Sequence, residues 1–193
     1  GIAFDINTPK KVINGVTYQY TFANDPAITE FINGVQTIPA DADIVRLQIP
    51  WSDFEPSDDQ WSWARMDQFM SKINQQGKTC EIQLLMSESP DLRDSGFAYV
   101  YPPAWLFDVR GCPYRIAPYG DGTYSTKQPI YYSSIYLSEL QEAINAFAAR
   151  YDNNLGLAWV DLRAFSLFGE WSGWYDGEYF PWPDAATRTN TLR

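Results

Sequence analysis

Residues 157–174 read LAWVDLRAFSLFGEWSGW. Leu157, Val160, Leu162, Phe165 and Leu167 mix alternating and continuous apolar character, as a mostly buried strand does. The segment 157–168 is therefore expected to be a strand, and it runs out on Gly169, Glu170 and Trp171. A glutamate at the mouth of a buried strand is costly to place, because an ionised carboxylate loses water there unless something pairs with it. Glu170 is then either half of an ion pair, with Arg163 or Arg46 as partner, or a carboxylate held for catalysis.

Outward from that strand the chain repeats one alternation. Before it lies a helix at 134–151, with Leu137, Leu140, Ile144, Phe147 and Tyr151 on one face. Before that, 87–129 carries Pro90, Pro102, Pro103, Pro113 and Pro118 and is far too long for an ordinary connection, so it reads as functional. The expectation is that it packs over the carboxyl ends of the strands and brings Trp105 towards Glu170. A strand at 79–86 precedes it. A helix comes before that, with Trp63, Met66, Phe69, Met70 and Ile73 at three- and four-residue steps and Gly77 as its stop. The strand at 43–49 ends on Pro50, and Trp51 opens a loop of turn residues. Asp25-Pro26 reads as a helix start running to about Asn33, with Gly34 ending it. The segment 16–22 (VTYQYTF) alternates and is rich in β-formers, so it is expected to be the first strand. Residues 1–15 are polar and poorly patterned. Beyond Glu170 comes an aromatic loop, and Pro183-Asp184 begins what reads as a further helix.

Strand then helix, four times over, predicts parallel βα units with right-handed crossovers. The expected fold class is α/β of the (β/α)8 TIM-barrel type. Residues 1–193 form one domain that supplies about the first four units. Ligands in such folds sit at the carboxyl ends of the strands, where Trp51, Glu88, the 87–129 segment and Glu170 all fall. Half a barrel leaves two strand edges and an apolar helix face open. Either the chain is a fragment, or a second polypeptide supplies the remaining half. The start, GIAFDINTPK, has no Met and reads as a processed or cut end, and the expected location is secreted, extracellular or periplasmic.

Composition narrows the chemistry. With 14 basic against 24 acidic residues the net charge is −10, which argues against nucleic acid or an anionic membrane surface as partner. No apolar run of about 18 residues exists, so membrane insertion is not expected. The chain has no histidine, which removes Ser-His-Asp and Cys-His machinery and the common His-based zinc sites. Two cysteines make no disulfide scaffold. Cys80 reads as a small core residue, and Cys112 lies in a Gly-Cys-Pro loop. Asp53, Glu55, Asp58 and Asp59 read as a turn before a helix rather than a cation site. No metal or cofactor is expected, and catalysis, if present, rests on carboxylates. Eight Trp and thirteen Tyr supply flat apolar faces with a polar edge, on which sugar rings stack.

A set of motifs now stands out: Val45-Arg46-Leu47, Trp51-Ser52-Asp53-Phe54-Glu55-Pro56, Trp63, Asp67, Gly77-Lys78, Pro102-Pro103-Ala104-Trp105-Leu106 and Phe168-Gly169-Glu170-Trp171. Together, over residues 43–175, they resemble clan A glycoside hydrolases, closest to the family 42 β-galactosidase type. The resemblance implies a complete eight-stranded barrel and retaining hydrolysis of a β-linked glycoside. It implies that Glu170 is the acid/base on strand four, that Arg46 is the strand-two Arg that hydrogen-bonds the nucleophile, and that Trp51 and Trp105 are loop walls. Glu55 matches a loop-opening Glu that is not catalytic. Two departures follow. The family usually has Asn before the strand-four Glu, to contact the sugar 2-hydroxyl, whereas residue 169 is Gly. The nucleophile belongs to strand seven, which lies outside these residues.

Glu88, Trp171, Trp174 and Tyr175 complete the expected substrate-binding set, with a carbohydrate as ligand. Asp53, Asp176 and Glu178 read as solvated loop carboxylates. Two functions of different class fit these residues. One is a glycosidase, and the other is a non-catalytic carbohydrate-binding or assembly protein on a degenerate barrel.

Overall fold

The computed structural model describes residues 3–5, 10–13, 16–19, 22–87, 102–119, 124–165, 174–175 and 178–179, with side chains at 22–87, 102–116 and 127–165. The chain is mixed α/β and is organised on a four-stranded parallel sheet. In chain order the elements are β1 (Ala3–Asp5), β2 (Lys10–Ile13), β3 (Val16–Gln19), α1 (Pro26–Ile32), β4 (Ile44–Pro50), α2 (Trp51–Phe54), α3 (Ala64–Gln75) and β5 (Thr79–Leu85). They continue with α4 (Ala104–Asp108), β6 (Tyr114–Tyr119), β7 (Tyr124–Pro129), α5 (Ser134–Tyr151), β8 (Leu157–Arg163), β9 (Trp174–Tyr175) and β10 (Glu178–Tyr179).

The sheet runs β1-β4-β5-β8, and every pairing in it is parallel. Two of its strands, β4 and β5, stand where the sequence periodicity puts them. The strand expected at 157–168 is β8, but it ends at Arg163 and, as an outer strand of the sheet, has no buried residue where a mostly buried strand is expected. The first stands elsewhere. The expected strand at 16–22 is β3, and it pairs antiparallel with β2 instead of entering the sheet. The sheet's other outer strand is Ala3–Asp5, paired in register with Ile44–Arg46, inside a stretch whose sequence shows no pattern. Three residues are too few to display a period of two. The segment 87–129 is likewise not one irregular loop. Among its described residues are a helix, α4, and an antiparallel hairpin, β6–β7, with Tyr114 opposite Pro129 and Tyr119 opposite Tyr124.

The caps explain where the helices begin and end. Asp25 accepts from the Ala27 amide at 2.8 Å, with Pro26 as the first helical residue, and Ser133 accepts from the Tyr136 amide at 3.1 Å. After α3 the chain turns at Gly77 with φ +62°, a left-handed conformation that costs a side-chain-bearing residue about 1–2 kcal/mol.

The two faces of the sheet differ in kind. Val45, Leu47, Ile49, Cys80, Ile82 and Leu84 are buried against Ile28 and Phe31 of α1, Met66, Phe69 and Ile73 of α3, and Leu140 and Phe147 of α5. Alternation sends Arg46 and Gln48 of β4, and Glu81 and Gln83 of β5, to the opposite face. There they form a ladder. Gln48 Nε2 donates to Gln83 Oε1 at 2.9 Å, Gln83 Nε2 to Glu81 Oε1 at 3.0 Å, and Arg46 Nε to Glu81 Oε2 at 3.2 Å. Barrel interiors are commonly filled by branched apolar side chains. Here, over two strands, the face away from the helices is polar. At the edge, β8 leaves Trp159 48% and Val160 39% exposed. No helix among the described residues is long and apolar enough to cross a membrane.

Candidate active site at the carboxyl ends of the strands

All three of β4, β5 and β8 point their carboxyl ends to one side, and the chain builds a dense aromatic platform there. Pro50 closes β4 and, extended at φ −62° and ψ 143°, is the N-cap of α2, whose first residue Trp51 lies in the core. Trp51 is fully buried and Trp105, brought by α4, is 6% exposed, with the two rings edge-on at 5.9 Å. Both indoles are anchored on one residue: Trp51 Nε1 donates to Glu55 Oε2 at 2.6 Å, and Trp105 Nε1 donates to the Glu55 carbonyl at 3.0 Å. The other carboxyl oxygen of Glu55 accepts from the Asp59 amide at 3.2 Å. Burial pushes the Glu55 carboxyl up to about 7, against the indole and amide bonds, which favour its ionised form. Glu55 is 2% exposed and tied at both oxygens, so it is the clasp of the loop and out of a substrate's reach.

The junction of β5 and β8 adjoins this clasp. The amides of Met86 and Ser87 both reach the Arg163 carbonyl, at 3.0 and 3.2 Å. Tyr136 of α5, fully buried, stacks edge-on against Trp51 at 6.3 Å and donates its hydroxyl to the Ala164 carbonyl at 2.5 Å. Burial holds that phenol well above its ordinary value, so it stays a donor. Tyr131 lies against Tyr136 at 5.7 Å and Phe165 at 5.6 Å. The chain leaves β8 through Ala164 and Phe165, which lie against Tyr131 and Tyr136.

The expected site residues distribute as follows. Trp51 and Trp105 are packing residues of the aromatic platform, buried rather than presented on an open wall. Their indole hydrogens are spent on Glu55, which the motif spacing could not show. Arg46 lies on the polar face, paired with Glu81, a buried carboxylate absent from the expected set. Glu88, Glu170 and Trp171 lie outside the described residues, as do Asp176 and the helix expected after Pro183. Trp174 and Tyr175 form β9, paired antiparallel with Glu178 and Tyr179 of β10. Glu81, Gln83 and Gln48 are absent from the expected set, although the strands IVRLQI and TCEIQLL carry their polar residues at every second position. That is the signal of a sheet with one polar face.

Both cysteines are free and buried. Cys80 lies in the core, and Cys112 lies 3.7 Å from the Ser133 hydroxyl. Burial raises both thiols, which keeps them protonated and unreactive. Among the described residues, no three His, Cys, Asp or Glu come together as a metal cluster. The acidic turn Asp58-Asp59 is answered by Arg110, whose Nε bonds Asp58 at 2.9 Å and also faces Glu139. Among the described residues, two open grooves of about 690 and 650 Å³ lie between α3 and α5 and at the amino ends of β5 and β8. Neither touches the carboxyl ends of the strands or the polar face.

No family model matches this chain, and no curated protein does. Among solved structures it is similar to the β-galactosidase of the psychrophilic Marinomonas ef1, at 18% identity and TM-score 0.45, covering 69% of this chain and 18% of that one. It is also similar to the cold-adapted β-galactosidase of Rahnella sp. R3, at 16% identity and TM-score 0.49, over 69% of this chain and 18% of that one. A third is a catalytic mutant of a GH42 β-galactosidase from G. stearothermophilus, at 15% identity and TM-score 0.45, over 69% and 17%. The chain thus spans under a fifth of the length of each.

Proposed function

We propose that this chain is the amino-terminal part of a glycoside hydrolase that cleaves β-linked glycosides with retention, with Glu170 as its acid/base. The observation that carries the reading is an ordering of motifs on a parallel sheet. The W-x-x-x-E-P segment closes the carboxyl end of β4. P-P-x-W-L docks on it through Glu55. The Gly-Glu-Trp sequence follows β8 along the chain, past the same end. Strands beyond β8, on this chain or another, would complete the barrel and bring the second carboxylate.

The chemistry needs those parts. A glycosidic oxygen leaves only if it is protonated as the bond breaks, which calls for a carboxylic acid of raised pKa. A second carboxylate must meet the charge growing at the anomeric carbon. At about 5–5.5 Å from the first it attacks and retention follows, whereas roughly 6.5–9.5 Å admits a water and inverts. Trp171 and Trp174 supply faces for the sugar. Gly169 offers no side chain to the 2-hydroxyl, so that contact must come from elsewhere in the site.

The test is the anomeric configuration of the first product when the intact protein meets lactose and aryl β-glycosides, followed by proton NMR. A β product is expected. An α product would assign the inverting mechanism, and sugar binding without cleavage would assign the non-catalytic class.

A further inference from the structure

The turn between α2 and α3 ends on two indoles, Trp61 and Trp63, and the Ser62 amide between them ties it to the Phe54 carbonyl at 2.8 Å. The two indole rings lie 5° from parallel with centres 5.5 Å apart. Both are nearly parallel to the Phe54 ring, which is 6.3 Å from Trp61 and 5.8 Å from Trp63. Phe54 is buried, and Trp63 is fixed from the side by Phe147 at 6.3 Å and Tyr151 at 5.8 Å. Trp61 is the outermost ring of the group. It is partly exposed, and among the described residues it meets only the rings of Phe54 and Trp63.

The distances leave one face of Trp61 without a ring. Two rings that sandwich a third stand about 7 Å apart, twice the roughly 3.5 Å contact distance of carbon atoms. Phe54 and Trp63 are 5.8 Å apart, so both lie on the same side of Trp61. The opposite face meets no aromatic ring among the described residues, and the side chain keeps its access to solvent. Held by the Ser62 bond and by two rings beneath it, this face is rigid before any ligand arrives.

A rigid apolar face with an N–H donor at its edge takes a ligand that is flat and apolar on one side and polar at its rim. A pyranose ring has that form, and so does the proline ring of an extended peptide. The surroundings choose between them. Asp59 and Gln60, just before Trp61, are both exposed. The Asp59 carboxyl is hydrogen-bonded with that of Glu142 on α5, and Arg110 lies 3.5 Å from it. Carboxyl and amide oxygens accept hydrogen bonds. Sugar hydroxyls supply the donors, whereas a proline has no N–H to give. The net charge of −10 disfavours an anionic sugar. The turn follows β4 and α2, so it stands on the side of the sheet to which the strands' carboxyl ends point.

We propose that Trp61 is a stacking face for a neutral pyranose unit of a polysaccharide. The sugar class follows from the chemistry of the turn, and the preference for a β-linked polymer rests on the glycosidase reading. The test is native electrophoresis of the intact protein, as wild type and as Trp61→Leu, through gels that contain soluble β-1,4-galactan, xylan or hydroxyethyl cellulose. At least one polymer should retard the wild type, and Trp61→Leu should bind that polymer about tenfold more weakly. Trp61→Phe keeps a ring face and should lose markedly less. Should Trp61→Leu not fold, oxidation of the wild type by N-bromosuccinimide, read by mass spectrometry, takes its place, and the retarding polymer should protect Trp61. A wild type that none of the three polymers retards overturns the proposal. So does equal retardation of the wild type and Trp61→Leu, or a Trp61 oxidised as fast with the polymer as without it. A proline-rich peptide that binds through Trp61 where no polymer does would overturn it too, in favour of a protein ligand.

Cleavage of an aryl β-galactoside is measured alongside, and it should be the same in Trp61→Leu as in the wild type. A protein retarded through Trp61 that cleaves no glycoside defeats the glycosidase reading and leaves the stacking face standing. Cleavage with retardation that ignores Trp61 does the reverse.

Discussion

Glu55 is the residue on which the loops above the sheet converge, since two indoles and a backbone amide end on it. Its carboxyl is raised from 4.5 to about 7, so the folded protein holds a proton that the unfolded chain has released. A group whose folded pKa is raised contributes stability that is fully present below the unfolded value and lost as pH rises through the folded one. The loss should therefore fall between about pH 4.5 and 7 and amount to at most about 3 kcal/mol. Glu55→Gln keeps the acceptor for the Trp51 indole and removes the titration. Denaturant melts at pH 5 and pH 8 should show wild-type stability falling relative to Glu55→Gln, and parallel curves would contradict the shift. The spacing W-x-x-x-E-P marks this residue as a loop opener. It cannot show that the loop closes on Trp105, because a contact spanning 50 residues leaves no periodic trace.

Arg46 and Glu81 make the second residue-scale case. Glu81 is nearly buried while the Arg46 side chain is 39% exposed, so the pair is partly screened. Arg46→Met strands a carboxylate held then by Gln83, and should cost about 1–2 kcal/mol. Adding Glu81→Gln should recover most of that loss. A double variant no more stable than Arg46→Met alone would show that the pair does not govern the face.

At the scale of elements, the chain is legible wherever a period has room to repeat. The α5 helix begins and ends where its apolar face does, and Asp25-Pro26 opens α1 as capping requires. Elements whose signal is not a period escape that reading. The Asn14-Gly15 pair between KKVI and VTYQ is a strong hairpin signal, and β2 and β3 are indeed hairpin arms rather than sheet strands. Pro118 and Pro129 argue for a loop. In a two-stranded ribbon, however, every strand is an edge, and prolines are tolerated there.

Two glycines show how unlike causes give the same requirement. At Gly77 an added methyl group would meet nothing within 4 Å, so glycine is needed there for its φ of +62° alone. Gly156 has no such backbone, but a Cβ there would stand 2.5 Å from Asn74 Oδ1 and 3.1 Å from Ile73 Cγ2, just where its carbonyl starts the β5–β8 pairing. Each Ala substitution should cost about 1–2 kcal/mol. Only Gly156→Ala should be relieved, in part, by Asn74→Ala. Equal rescue of both, or of neither, would contradict the distinction.

At the scale of the molecule, the parallel sheet has helices on one face and a hydrogen-bonded polar ladder on the other. The acidic net charge of −10 disfavours an anionic ligand, and the many aromatics are compatible with the sugar ligand of the proposed function. The central claim is that Glu170 protonates a leaving glycosidic oxygen. The measurement is turnover of lactose and of a dinitrophenyl β-galactoside by the intact protein and by Glu170→Gln. The account predicts that lactose cleavage falls about 10²–10⁴-fold in the variant. The glycosylation step of the activated aryl substrate, which needs little protonation, should be slowed far less. Lactose turnover unchanged in Glu170→Gln, or an equal loss on both substrates, would contradict it.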